Sequence, residues 1–91
     1  MKDGIEPEIL EEIHHAISPV SEVKGIGEVR ARWIGHRLHA EINIAVKSNA
    51  TVSQGHDIAK EVRHELLHHL PHLADVIIHV DPEDKLGESH H

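Results

Sequence analysis

The sequence has no cysteine, no phenylalanine and no tyrosine among its 91 residues, a single tryptophan, and nine Lys and Arg against sixteen Asp and Glu. Each deficit excludes something. Without cysteine there is no disulfide framework, no thiolate zinc site and no catalytic thiol, so a metal would have to be held by nitrogen and oxygen. One tryptophan offers no stacking platform for bases or drug-like ligands. A formal charge of −7 opposes nucleic-acid binding, which needs clustered cations to neutralise phosphates, and disfavours an anionic membrane surface. No run approaches the ~18 apolar residues that span a bilayer, so no direct membrane insertion is expected. Met1-Lys2-Asp3-Gly4 lacks the apolar run and cleavage site of a signal peptide, and a cytoplasmic chain is expected.

What the chain has in excess is histidine, 12 residues in all. An unperturbed imidazole titrates near ~6.5, so full protonation between pH ~7 and ~5 would carry the formal charge from −7 to +5. Such a composition points to metals or protons. A chain of this length supports one domain that buries only about 60–65% of its unfolded surface, and oligomerisation or bound metal would supplement so small a core.

Ile5, Ile9, Ile13 and Ile17 recur every four residues, with Pro7 in the first turn and Ser18-Pro19 as the stop, which predicts a helix over 5–17. Val29, Ala31 and Trp33 then alternate with Arg30 and Arg32 as a strand, and Trp33 is expected in a core or interface. After a Gly35-His36 turn, Leu38, Ala40, Ile42, Ile44 and Val46 alternate with Arg37, His39, Glu41, Asn43 and Ala45, giving a second strand with one apolar and one polar face. Thr51 and Gln54 form a capping-box pattern opening a second helix that runs to about Leu70, where Pro71 ends it. A short β-branched strand from Ala74 to Val80 closes the series at Asp81-Pro82. The fold class expected is α+β: an α-β-β-α-β two-layer sandwich, a three-stranded sheet with both helices on one face and the other face bare. Residues 1–83 are assigned to the domain and 84–91 to a polar tail. The terminal His90-His91 has the form of a purification remnant and is set aside.

His79 and Asp81, two apart on the last strand, put both side chains on one face about 7 Å apart at the backbone, close enough to converge on one ion. His56, in the first turn of the second helix, is placed to join them if that helix start packs near the strand end. His39, Glu41 and Asn43 share the polar face of the second strand, where the simpler reading is a solvated face. His64 and His68 are four apart on the helix and form an i,i+4 pair. With the residues between them they spell His64-Glu65-Leu66-Leu67-His68, a literal match to the HExxH zincin pattern. Leu66 is required by the core, which turns both histidines outward, and two small helices on three strands leave no room for a deep cleft. No enzyme is expected.

The Val23-Lys24-Gly25-Ile26 lead-in, the Arg30-Ala31-Arg32 strand, the helix start Thr51-Val52-Ser53-Gln54-Gly55-His56 and the ending Val76-Ile77-Ile78-His79-Val80-Asp81-Pro82 occur together in this order. In these features, over about residues 5–83, the chain resembles the cytoplasmic C-terminal domain of cation diffusion facilitator (cation efflux) transporters, the magnetosome-associated members among them. The resemblance implies a metallochaperone-like, truncated ferredoxin-like fold. It further implies a homodimer shaped as a V on the cytoplasmic side of a plasma or magnetosome membrane, whose partner is the transmembrane domain of the same transporter. The implied ligand is a divalent transition metal, zinc first, with iron, manganese or cadmium as alternatives, and its binding would favour a closed, transport-active state. By position His56, His79 and Asp81 match the family's metal ligands. Gly27 and Asn43 stand where zinc-handling members often carry histidine, and His39, Glu41 or Glu83 could substitute. The competing reading from a different class is a constitutive dimerisation module without metal sensing, in which Asp81 only orients His79.

Overall fold

Helix α1 (Pro7–Ile17) begins where Pro7 removes a backbone N–H that would have no intrahelical partner, and Glu8 places negative charge in the first turn. Its end is fastened by Ser18, whose Oγ donates to the His15 carbonyl at 2.8 Å. Ile13, Ala16 and Ile17 turn inward. The computed structural model describes residues 6–84, so Ile5, the expected first member of this stripe, lies outside the described residues, as does the tail from Lys85.

Strands β1 (Gly25–Ile34) and β2 (Arg37–Val46) form an antiparallel hairpin. Gly35 has φ +64°, and His36 does not have a positive φ, which fits a two-residue type II′ turn and explains a glycine at that position. Helix α2 (Val52–His69) then crosses to strand β3 (Leu73–Pro82), which runs parallel to β2, giving the order β1-β2-β3. A parallel pair needs such a long crossover, and α2 supplies it. Both outer strands are longer than alternation alone predicts, because ladder pairing continues past their apolar residues.

The core lies between the sheet and the two helices. Leu38, Ala40, Ile42, Ile44 and Val46 of β2 meet Val62, Leu66 and Leu70 from the α2 side, Ile13, Ala16 and Ile17 of α1, and Leu73 and Val76 of β3. No polar or charged residue is buried among the described residues. Ala45 is also buried although it belongs to the polar face of β2, and Trp33, instead of entering the core, is 43% exposed with its ring 5.8 Å from that of His72.

The capping box is complete: Gln54 N–H donates to Thr51 Oγ1 at 3.0 Å and Thr51 N–H to Gln54 Oε1 at 2.8 Å. Thr51→Ala is expected to lower stability by about 1 kcal/mol, read as a lower urea midpoint with unchanged slope.

Arg63 of α2 reaches Asp75 of β3, Nη2 to Oδ1 at 3.0 Å. The Arg63 guanidinium, helped by the Val76 backbone N–H, holds the Asp75 carboxyl below the ordinary aspartate value of 3.8. A depressed carboxyl stabilises the fold above its unfolded value, and that contribution is lost as pH falls through the folded one. The difference in Tm between the wild type and Asp75→Asn is therefore expected to be small at pH 7, as befits an exposed pair, and to vanish as the pH falls from the ordinary aspartate range through the lowered folded value.

Candidate metal centre on the open sheet face

Alternation along β2 sends Leu38, Ala40, Ile42, Ile44 and Val46 into the core and leaves His39, Glu41 and Asn43 on the face that neither helix covers. The parallel register sets Asp75, Ile77, His79 and Asp81 of β3 on the same face, with Asn43 directly beside His79 and Ala45 beside Asp81. The antiparallel register adds Arg30 and Arg32 from β1. The result is a shallow concavity of about 770 Å³ edged by Arg30, Arg32, His39, Glu41 and Ile77. Half of Ile77 remains exposed there.

Two contacts organise this face. His79 Nε2 lies 3.1 Å from Glu41 Oε2, and Asn43 Nδ2 donates to Asp81 Oδ2 at 3.2 Å. Glu41 also faces Arg30, Nη1 to Oε1 at 3.8 Å, and Arg30 in turn faces Glu28 at 3.5 Å. The Glu41–Arg30 pair is loose and exposed, so it holds Glu41 weakly.

The His79–Glu41 pair suits a divalent cation chemically. Ligand bonds of about 2.0–2.2 Å at a tetrahedral angle separate two ligand atoms by roughly 3.3–3.5 Å. An N···O distance of 3.1 Å therefore needs only a few tenths of an ångström to pass from sharing a proton to sharing an ion. The second contact contributes one carboxylate, Asp81, and one neutral amide oxygen, Asn43, whose amide nitrogen is turned to Asp81. Opposite Asn43 the β1 strand bulges between Ile26 and Val29, so that Gly27 and Glu28 together face one β2 residue.

The other candidates fall elsewhere. Gly55, at the start of α2, packs against Val80, and a Cβ there would meet Val80 Cγ1 at 3.4 Å, so the helix start does lie over the end of β3. Val80 belongs to the helix-facing side of β3, whereas His79 and Asp81 belong to the open side. His56 is exposed in the helix layer. His39 is half-buried beside Asp75 in the register, and Glu83 is exposed just past Pro82. Among the described residues no three His, Asp or Glu side chains lie close enough together to hold one ion. Sequence reasoning did not single out Arg30 as a partner of Glu41; its place opposite Glu41 in the hairpin register is the signal that would have found it.

Residues 5–83 match the family model described as the cation efflux protein, cytoplasmic domain. The chain belongs to this family. Its relatives include a probable cation efflux system protein of Mycobacterium tuberculosis, 37% identical over 90% of this chain and 25% of that protein. The manganese efflux system protein MneP of Bacillus subtilis is 35% identical over 90% of this chain and 28% of that protein. The chain thus spans about a quarter of the length of these relatives. A MamM CTD variant in a cadmium form shares the fold with a TM-score of 0.80 at 25% identity, over 84% of this chain and 95% of that one. Manganese and zinc forms of the same domain match at 0.79, each at 25% identity over 82% of this chain and over 95% and 82% of theirs. The α+β, metallochaperone-like architecture expected from the sequence is the one found. No helix among the described residues is long and apolar enough to cross a membrane.

Proposed function

We propose that this domain is the regulatory cytosolic part of a divalent-metal transporter. In this reading it homodimerises and binds transition-metal ions so as to favour a closed, transport-active arrangement. The observation that carries the reading is the pairing of Glu41 with His79, and of Asn43 with Asp81, on the sheet face that no helix covers.

Glu41, His79 and Asp81 act as carboxylate and imidazole ligands, with Asn43 as a weaker neutral donor. A structural or regulatory cation takes four or more ligands, and one chain brings only pairs together. The remaining ligands then come from a second copy, for which His56, His39 and Glu83 are the exposed or half-exposed donors available. A set of oxygens with few imidazoles accommodates manganese and iron as well as zinc and cadmium. That range agrees with a relative named for manganese efflux and with neighbours in cadmium, manganese and zinc forms. The transmembrane helices that move the ion belong to the rest of the transporter.

Closure follows from electrostatics. Two copies of a domain with net charge −7 repel where their acidic faces approach, and ligands shared across the approach remove that repulsion. Only differential affinity for the closed form shifts the population. Small-angle scattering checks this. One chain has a Cα radius of gyration of 13.2 Å, so a clearly larger value reports the dimer. Zinc is expected to contract that dimer in the wild type and to leave a His79→Ala/Asp81→Ala variant unchanged. A dimer whose dimensions ignore bound zinc would support the constitutive module instead.

A further inference from the structure

The metal reading uses His79 and His56 but leaves His64, His68 and His69 of α2 without a role. His64 and His68 stand four residues apart in an 18-residue helix, both exposed, with near-parallel rings 6.4 Å between centroids and 11° between planes. Their outward direction is held by the opposite stripe: Val62 and Leu66 are fully buried, so the helix cannot rotate to hide either imidazole. Glu65 turns away from the pair towards His69, Oε1 to Nε2 at 3.4 Å, and His68 meets the His69 ring edge-on at 5.1 Å. The general base that a zincin would need is therefore engaged by His69.

We infer that His64 and His68 form a second cation site, a two-imidazole chelate across one turn of α2 for borderline divalent ions such as copper(II), nickel and zinc. Residues four apart on a helix are surface neighbours, and one turn of α2 holds the two rings side by side before any ion arrives, so that side-chain rotation alone brings a nitrogen of each to a shared ion. His64, the nearer of the two, lies eight residues beyond His56, about 12 Å along the axis at 1.5 Å per residue, and Glu41, His79 and Asp81 lie on the sheet face that neither helix covers, so the pair shares no ligand with either. No third His, Asp or Glu joins it among the described residues, which leaves the other coordination positions to water.

The two sites differ in chemistry. A site of imidazole alone follows the order in which copper(II) is bound most strongly and manganese least. The sheet face, rich in oxygen, accepts manganese. Selectivity therefore separates the sites without reference to transport, and the helix pair stands even if the sheet-face reading fails.

The test uses the full chain with His90 and His91 replaced in every sample. Copper(II), zinc and manganese are titrated into the wild type, into His64→Gln/His68→Gln, and into the single variant His64→Gln. Glutamine keeps helix propensity, and circular dichroism verifies that each variant is folded. The double variant is expected to lose one copper(II) equivalent per chain together with its two-nitrogen spin-resonance signature, and to keep any manganese binding intact. The single variant is expected to bind that copper(II) at least tenfold more weakly. Unchanged copper(II) stoichiometry and spectrum in the double variant, or a single variant within twofold of the wild type, would overturn the chelate.

Discussion

Ile42→Ala is expected to remove about 3–4 kcal/mol of stability, within the range for truncating a fully buried isoleucine in a core that cannot collapse around the gap. Ile42 is 0% exposed at the centre of the middle strand, between Val29 on one side and Ile78 on the other, within the core that the sheet and the two helices share. A domain of 91 residues has a total stability of about 5–14 kcal/mol, so this single change removes roughly a fifth of it or more. Ile77→Ala is the control. Ile77 has the same side chain one rung away on β3, but it is 52% exposed on the open face, and its truncation is expected to cost well under half as much. Urea unfolding of both variants measures the contrast. Equal losses would contradict the two-faced sheet on which the candidate metal centre depends.

The second large effect is a gain. Asn43→His replaces a neutral amide with an imidazole at a point directly beside His79 in the register and next to Asp81. The Asn43 amide now donates to the Asp81 oxygen that a cation would use, so the substitution removes a competitor and adds a stronger ligand. Zinc affinity is expected to rise tenfold or more, about 1.4 kcal/mol, with a smaller gain for manganese, because imidazole favours zinc. Competitive titration of zinc against manganese reads the ratio directly. A ratio that does not move would mean that Asn43 lies outside the coordination sphere.

The order of elements is legible in the sequence because every switch of periodicity is marked: Ser18-Pro19 after α1, Gly35-His36 between the strands, Thr51 with Gln54 at the start of α2, and Pro71 after it. The polar face of β2 is legible for the same reason, since alternation over ten residues assigns His39, Glu41 and Asn43 to one side. Three features are not. The parallel direction of β3 depends on where α2 delivers the chain. Trp33 sits at the hairpin end, beyond the reach of the helices, so its apolar side chain packs beside His72 instead of in the core. The relation of His56 to His79 depends on which side of β3 the helix start meets. The structure does set Gly55 against Val80, but it also shows that His79 and Asp81 belong to the other side of the strand.

On the proposed reading the open sheet face, completed by a second copy, binds a divalent cation. The most direct test is a calorimetric titration of the metal-free protein with zinc near pH 7.5, where an imidazole ligand is largely neutral, after removal of His90 and His91. It is run beside a His56→Ala/His79→Ala/Asp81→Ala variant. Micromolar or tighter binding by the wild type, reduced in the variant to the weak binding of the helix pair, is the predicted result. Superimposable titrations of the two proteins would contradict the account.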